Sequence, residues 1–303
     1  MTLSGFMASL PVSLRRQKLL EALCRFRVVS PVQPLQFNGR AKAWVDLRDA
    51  TSRAAYLARS YWPEFPPLVA AFLRIGGDLF DAGANLGLVT FGVVPLVADL
   101  DTKCHLFEAN ARLIPLLELS AREWPDRDFS IQHCCVTDVP GVSFHTLPDS
   151  EWSHGLIAER GDEVRNLALD DYVADRRVER IGFLKLDVEG WELHALRGAQ
   201  RTLESGLVQA GFIEINPGLL RRAGVTSTDV LDTLQRAGFD IYFAGLWDDT
   251  RPQQRGLARV SINGTALGFS RATPLPASFV QGDVLVIHRS HPVADDVRSA
   301  TQS

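Results

Sequence analysis

The stretch Asp81-Ala82-Gly83-Ala84-Asn85-Leu86-Gly87 follows a short apolar run at residues 79–80 and precedes a longer one at residues 86–98. This order predicts a strand, a glycine turn and then a helix. Gly83 permits a tight turn, and its missing side chain lets a ligand lie against the backbone. The first turn of the following helix offers unpaired N–H groups to an anionic group. The stretch therefore predicts a ligand site at the carboxyl end of a strand.

Short apolar segments alternate with amphipathic helices from Gly76 onward, which is typical of a parallel sheet covered by helices. The predicted strands are residues 79–81, 104–107, 129–136, 181–186, 212–215, 239–243 and 284–288. We therefore expect an α/β fold with a doubly wound, mostly parallel seven-stranded sheet, whose ligand crevice lies beyond the carboxyl ends of its strands. Pro95 lies within the helix predicted over residues 86–98, which it should kink or end.

The first 65 residues have a different pattern from the rest of the chain. A basic amphipathic helix is predicted over residues 14–26, and Pro31 and Pro34 then interrupt the chain. We expect residues 1–65 to form an N-terminal helical arm or cap, residues 66–290 to form the α/β domain, and residues 291–303 to be a disordered tail.

Composition and charge exclude several classes of protein. The formal net charge is −4, which argues against the concentrated basic surface that binds nucleic acid. No apolar run reaches the ~20 residues that span a bilayer, and the N-terminus lacks the pattern of a secretory leader. The four cysteines have no C-x-x-C spacing, so we expect reduced, buried thiols. We expect a cytoplasmic protein that contacts neither nucleic acid nor membrane; a homodimer is left open.

Glu108 ends the second predicted strand, 25 residues after Gly83. An acid at that strand end can accept hydrogen bonds from both hydroxyls of a ribose. A nicotinamide dinucleotide needs G-x-G-x-x-G to hold its pyrophosphate, whereas this turn reads G-A-N-L-G and follows Asp81. Because a carboxylate there repels a pyrophosphate but suits the ammonium of a methionine group, the residues favour S-adenosylmethionine over NAD. A dehydrogenase is the alternative.

A second polar cluster follows the fourth predicted strand, in Phe183-Leu184-Lys185-Leu186-Asp187-Val188-Glu189-Gly190-Trp191-Glu192. Asp187 and Glu189 are expected at the crevice, near the positive end of the next helix, which keeps them ionised. An ionised carboxylate there can receive a proton from an acceptor. It can also help to hold a divalent cation such as Mg²⁺ together with Glu214, although we expect no metal.

These motifs together resemble the FkbM-type S-adenosylmethionine-dependent methyltransferases over roughly residues 65–245. The resemblance rests on residues 81–87, Phe107-Glu108-Ala109-Asn110, Leu169-Asp170-Asp171-Tyr172 and residues 183–192. It implies a class I methyltransferase (Rossmann-like) fold and O-methylation of a hydroxyl on a small molecule such as a sugar, a polyketide or another secondary metabolite. The alternatives are a nitrogen or carboxylate acceptor and a catalytically silent nucleoside-binding or interaction module. The family's usual F-E-P-N-P has lost both prolines here.

The resemblance also assigns roles to individual residues. The cofactor-binding positions it implies are Asp81, Gly83, Asn85, Gly87, Glu108, Asn110 and Asp138. Of these, Asp138 matches the place where such enzymes commonly present a residue to the adenine amine. Asp187 and Glu189 match the acidic motif beside the acceptor.

The acceptor side is less constrained by motifs. His154 is a further catalytic candidate, because a base with a near-neutral pKa suits removal of a hydroxyl proton; a surface loop histidine is the alternative. Our hypothesis is that Asp187 or His154 takes the proton and Glu189 orients the acceptor. Trp152, Glu214 and Asn216 are predicted to bind the acceptor.

Overall fold

The computed structural model describes residues 14–146, 156–158, 161–248, 257–276 and 279–302. The helices, in chain order, are α1 (Leu14–Arg25), α2 (Ala50–Ala58), α3 (Phe65–Leu73), α4 (Leu88–Val93), α5 (Ile114–Ala121), α6 (Leu169–Arg176), α7 (Glu192–Arg197), α8 (Gln200–Glu204), α9 (Pro217–Arg222), α10 (Ser227–Arg236) and α11 (Ala294–Ala300). The strands are β1 (Val32–Phe37), β2 (Ala41–Asp46), β3 (Asp78–Ala82), β4 (Cys104–Glu108), β5 (Phe129–His133), β6 (Cys135–Val136), β7 (Val142–Thr146), β8 (Leu156–Ala158), β9 (Asp162–Leu167), β10 (Ile181–Leu186), β11 (Ala210–Ile215), β12 (Phe239–Leu246), β13 (Ala258–Ile262), β14 (Thr265–Arg271) and β15 (Gly282–His288).

A nine-stranded sheet in the order β13-β14-β12-β15-β11-β10-β3-β4-β5 forms the centre of the fold. The run from β11 to β5 is parallel, and β15 inserts antiparallel between β11 and β12. This is the α/β class I arrangement that was expected. Every predicted strand is present, but the strand predicted over residues 129–136 divides into β5, in this sheet, and β6, which pairs with β9 in a separate sheet. The carboxyl ends of β3, β4 and β10 meet at one edge, as parallel pairing requires.

The sheet has nine strands rather than the predicted seven, because the hairpin β13–β14 extends it beyond β12. The hairpin turns on Asn263-Gly264, both at positive φ, between the paired residues Ile262 and Thr265. Asn-Gly between two such runs favours the two-residue turn that matches the twist of a hairpin. The sequence therefore carried a local indication of these strands that the sequence analysis did not use.

Pro95 divides the first long helical segment as expected. Helix α4 ends at Val93, and a single 3₁₀ turn follows over Val94–Leu96 with the proline near its start. Proline has no N–H to continue the α-helical bonding, so the chain tightens at that point.

The hairpin of the N-terminal segment packs against helices α4 and α5. The hairpin β1–β2 lies on α5, where the Trp44 N–H donates to Ser120 Oγ at 2.7 Å and the indole N–H donates to Glu123 at 3.0 Å. Leu35 and Phe37 are buried in the same hydrophobic cluster as the residues of α4. The hairpin thus shares the core of the α/β domain.

Residues 294–300 form α11, which corrects the expectation of a disordered tail at residues 291–303. Ala294 and Val297 are buried, and the Arg298 guanidinium donates to Asp240 at 2.8 Å. These two buried apolar side chains and the ion pair with Asp240 hold the short helix against the sheet. In the part of the chain that the structure describes, no helix is long and apolar enough to cross a bilayer.

Candidate active site

A pocket of about 360 Å³ opens at the carboxyl ends of β3, β4, β10 and β11. It brings together residues that are far apart in the sequence, because parallel strands end at the same edge of a sheet. The predicted site residues that line it are Gly83, Asn85, Glu108, Asp187, Glu189, Glu214 and Asn216. Trp152 and His154 lie outside the described residues.

Gly83 is in close contact with the turn that follows β10. Its φ is +76°, and a Cβ atom built there would lie 1.7 Å from the carbonyl oxygen of Asp187. Its N–H donates to the carbonyl of Phe107 at 2.9 Å, which fixes the turn against β4. Only glycine fits a position with both a left-handed φ and a neighbouring backbone at that distance. The turn is thus a rigid floor of the pocket.

The Glu108 carboxylate is held by the backbone on both of its oxygens. The N–H of Asn85 donates to Oε2 at 2.7 Å, and the N–H of Asn110 donates to Oε1 at 2.8 Å. Burial raises the pKa of Glu108 to about 7, although both N–H donors lower it. Because an ionised carboxylate has about four acceptor positions, two remain for hydroxyl donors in the pocket.

The pH dependence of nucleoside binding follows from Glu108. The carboxyl is protonated below its pKa of about 7 and becomes a full acceptor above it. We expect S-adenosylhomocysteine to bind about tenfold more tightly at pH 8 than at pH 6, because the ionised fraction rises about tenfold over that interval. Calorimetric titration at both pH values measures this. Glu108→Gln should bind weakly at both, and a slope that survives in this variant would assign the titration to another group.

Lys185 lies between two carboxylates of the site. Its ammonium is 3.2 Å from Asp81 Oδ1 and 3.3 Å from Asp187 Oδ2, and it donates to the Gly83 carbonyl at 2.9 Å. Burial lowers the pKa of Lys185, but Asp81 and Asp187 outweigh it, so the net pKa is raised and the lysine stays charged. Sequence reasoning missed Lys185, which it treated as part of a buried strand.

Asp81 does not face the pocket. It is fully buried, accepts a hydrogen bond from Thr90 Oγ1 at 2.7 Å, and pairs with Lys185. The structure therefore gives this carboxylate the role of holding Lys185 and α4, rather than that of a direct ligand for an ammonium group. The register of the sheet explains it, because Asp81 and Lys185 are direct partners across β3 and β10.

Asp187 and Glu214 form an acidic pair in the pocket. The Asp187 side chain is about a third exposed, at 32%. Burial, followed by the negative charge of Asp187, raises the pKa of Glu214 to about 9, and the two carboxyls share a hydrogen bond. Glu214 is consequently protonated at neutral pH and can donate to Asp187. Glu189 lies beside them at a positive φ of 55°.

The Glu192 side chain holds the backbone of the acidic turn that follows β10. It is fully buried, and its Oε1 accepts the N–H groups of Val188 and Gly190 at 3.1 Å each. Burial raises the pKa of Glu192 to about 7. This carboxylate binds the turn that carries Glu189, so it is a structural part of the site.

Within the described ranges, no group of three or more His, Cys, Asp or Glu side chains is arranged to hold a metal ion.

Three further predicted cofactor residues, Gly87, Asn110 and Asp138, do not line the pocket. Asp138 pairs with His194 at 2.9 Å and is absent from the lining. Asn110 is buried and positions Glu108 through its backbone, and Gly87, at φ +68°, begins α4. The sequence correctly located the turns that carry them, whereas the direction of each side chain depends on tertiary packing.

The pocket also has walls that the sequence analysis did not identify. Tyr61 and Trp62 line it from the N-terminal segment, together with Thr51, and Gln281 lines it from the chain preceding β15. Trp191 lines the opposite side, stacked on His194 with ring centroids 4.4 Å apart. No local motif marks these residues, so only the three-dimensional fold reveals them.

Comparison with models of known protein families identifies the family of this chain. The model of the methyltransferase FkbM domain matches residues 81–241, more than half of the chain. The chain belongs to the FkbM methyltransferase family. The matched range contains the Gly83 turn, Glu108, the acidic turn after β10 and Glu214, and it ends within β12.

Individual relatives are distant. Hexuronic acid methyltransferase AglP of Haloferax volcanii is 24% identical over 160 residues, which is 52% of this chain and 62% of that protein, so the chain spans less than two thirds of its relative. The crystal structure of methyltransferase FkbM from Methylobacillus flagellatus has 20% identity and a TM-score of 0.38, covering 64% of this chain and 43% of that one. Precorrin-6y C5,15-methyltransferase from Geobacter metallireducens has 10% identity and a TM-score of 0.37, covering 73% and 84%.

Proposed function

We propose that the protein transfers a methyl group from S-adenosylmethionine to a hydroxyl oxygen of a small molecule such as a sugar, a polyketide or another secondary metabolite. Family membership supports methyl transfer. The observation that carries the proposal is the joint placement of the Gly83 turn, the Glu108 carboxylate and Asp187 around one pocket. The relative named as a hexuronic acid methyltransferase supports a small-molecule acceptor.

The residues present fit the cofactor at three points. Gly83 lines the pocket, and its missing side chain lets its turn pack directly against the Asp187 carbonyl, so the two turns together form the floor on which the cofactor would lie. Glu108 keeps acceptor capacity for two ribose hydroxyls. Apolar and aromatic groups on the far side, including Val136 and Trp191, suit a purine ring. We propose that the ribose of the cofactor lies at Glu108 and that its methyl group points toward Asp187.

When bound, S-adenosylmethionine supplies an electrophilic methyl group for an in-line displacement. The task of the chain is to hold the acceptor oxygen about 3–3.5 Å from that carbon and to exclude water. Asp187 accepts the proton of the acceptor hydroxyl as the new C–O bond forms. The Lys185 ammonium lies 3.3 Å from Asp187 Oδ2, and protonated Glu214 can donate to the same carboxylate, so both contacts hold it in position. Glu189 orients the acceptor from the same turn.

Asp187→Asn tests the proposed base. We expect kcat to fall about 10²- to 10⁴-fold, because the amide cannot take the proton, while affinity for S-adenosylhomocysteine stays within about twofold. Steady-state kinetics and calorimetry measure the two quantities. Asp283→Asn is the matched control, since Asp283 is a nearby acid that does not line the pocket. Full turnover in Asp187→Asn would remove Asp187 from this role and turn attention to His154.

Two assays test the function as a whole. Titration with S-adenosylhomocysteine and, separately, with NAD separates a methyltransferase from a dehydrogenase. Transfer of labelled methyl from S-adenosylmethionine to a panel of hexopyranosides, phenols, amines and carboxylic acids separates hydroxyl acceptors from nitrogen and carboxylate acceptors. Binding of the cofactor with no transfer to any panel member would favour a silent binding module.

A further inference from the structure

Two aromatic residues from outside the family-matched range form one wall of the pocket. Tyr61 and Trp62 line the pocket, whereas the methyltransferase FkbM domain begins at residue 81. Their rings stack on each other with centroids 5.5 Å apart. Trp62 is 46% exposed at the rim, a large exposed fraction for an indole. None of the sequence motifs described above contains Tyr61 or Trp62.

A single amide side chain fixes the backbone of Tyr61. Asn38 Nδ2 donates to the Tyr61 carbonyl at 2.6 Å, and Asn38 Oδ1 accepts the Tyr61 N–H at 3.1 Å. The same oxygen accepts the Ser60 hydroxyl at 3.3 Å, and the Asn38 N–H donates to the Arg59 carbonyl at 3.1 Å. Asn38, in the turn of hairpin β1–β2, therefore holds residues 59–61 in one position, although they follow it by 21 to 23 residues in the chain.

Trp62 is anchored from the other side by a series of aromatic contacts. Its ring meets Phe65 edge-on at 5.9 Å, and Phe65 meets Phe212 of β11 at 4.7 Å. Trp62 also has φ +36°, a conformation that bulky residues adopt rarely. Such backbone outliers persist where the surrounding structure determines them, and they concentrate at ligand sites. Both anchors thus hold the aromatic wall in a fixed place.

Tyr61 lines the same pocket as the charged groups of Lys185 and Asp187. Burial raises the pKa of Tyr61, Lys185 opposes that rise, and Asp187 adds to it, so the hydroxyl remains a neutral donor. Among the residues that the structure describes, that hydroxyl has no hydrogen-bond partner. A partly buried phenol that lines the same pocket as Asp187 and has an unused donor is suited to a hydrogen bond with a ligand oxygen.

We propose that Tyr61 binds the methyl acceptor by donating a hydrogen bond to the hydroxyl oxygen that faces Asp187, and that Trp62 packs against a ring carried by that acceptor. Asn38 is then a positioning residue that acts through Tyr61. This inference rests on the proposed function, and it narrows the acceptor class to hydroxyls borne on a ring. The N-terminal segment accordingly completes the active site.

Tyr61→Phe and Trp62→Ala test the direct contacts. For the ring-bearing panel member that is methylated fastest, we expect kcat/KM to fall about tenfold in each, as loss of one hydrogen bond or one aromatic contact predicts. Affinity for S-adenosylhomocysteine should stay within about twofold. With glycerol, an open-chain alcohol, the rate of methylation should fall in Tyr61→Phe but not in Trp62→Ala. Tyr56→Phe is the matched control, since Tyr56 is buried in α2 and does not line the pocket.

A double-mutant cycle tests Asn38. Asn38→Ala should lower kcat/KM about as much as Tyr61→Phe, and the double variant should be no worse than either single one, because the two act as a unit. Gln36→Ala is the control, since Gln36 bonds only to Gly39 within the same turn through its side chain. Additive losses would give Asn38 a general structural role instead.

The outcomes separate the two proposals. A wild-type protein that neither binds S-adenosylhomocysteine nor methylates any panel member refutes the proposed function first. A wild-type protein that does both, with Tyr61→Phe and Trp62→Ala unchanged, refutes only this inference. A large loss of S-adenosylhomocysteine affinity in Tyr61→Phe also refutes it, because Tyr61 would then bind the cofactor.

Discussion

Replacing Gly83 with alanine is expected to destabilise the protein by about 2–4 kcal/mol and to abolish binding of S-adenosylhomocysteine. The new Cβ would lie 1.7 Å from the Asp187 carbonyl oxygen, so one of the two turns must move. A left-handed φ adds its own cost for any residue with a Cβ. Denaturant unfolding and calorimetric titration measure the two losses.

Gly224→Ala is the matched control for this variant. Gly224 has φ +75°, almost the same as Gly83, but a Cβ built there meets nothing within 4 Å. We expect it to cost about 1–2 kcal/mol and to leave nucleoside binding intact. Equal effects of the two variants would mean that backbone conformation, rather than contact with Asp187, makes Gly83 necessary.

The second large effect is expected from Lys185→Met. Removing the ammonium leaves Asp81, which has no exposed surface, as a buried carboxylate with Thr90 as its remaining hydrogen-bond partner. Breaking a buried ion pair on one side costs about 3–5 kcal/mol. We therefore expect a loss of that size in the free energy of unfolding, measured by denaturant titration.

Two comparisons make this result interpretable. Lys103→Met breaks an ion pair with Asp128 in which both side chains are more than half exposed, so its cost should stay below about 1 kcal/mol. The double variant Lys185→Met with Asp81→Asn removes both charges and should recover part of the stability. No recovery would indicate that Lys185 contributes through packing and its bond to the Gly83 carbonyl.

The sequence predicted the architecture because hydrophobic periodicity and strand-ending turns are local features. All seven predicted strands are present, and Pro95 ends α4 as expected. The hairpin β13–β14 was overlooked although Asn263-Gly264 marks its turn. The tail at residues 291–303 was expected to be disordered, yet Val297 is buried and α11 forms.

The sequence predicted the location of the site better than the directions of its side chains. Parallel strands place Gly83, Glu108 and Asp187 at one edge of the sheet, which the order of motifs is sufficient to indicate. Which side chains face the pocket depends on register and packing. Asp81 points to Lys185 because the two are opposed across β3 and β10, and this pairing is not encoded near either residue.

Long-range contacts account for what the motifs could not reveal. Tyr61 reaches the pocket because Asn38, on a different hairpin, holds its backbone. Asp138 was predicted to contact a nucleobase; it does not line the pocket, and its carboxylate bonds to His194. In both cases the partner is more than 20 residues away, so no short sequence window contains the information.

A crystal structure with S-adenosylhomocysteine would show directly how the pocket holds the cofactor. We expect the ribose hydroxyls within hydrogen-bond distance of Glu108, the nucleoside over the Gly83 turn, and the sulfur on the side of Asp187 and Lys185. Density for the ligand elsewhere, or a ribose directed away from Glu108, would contradict this placement.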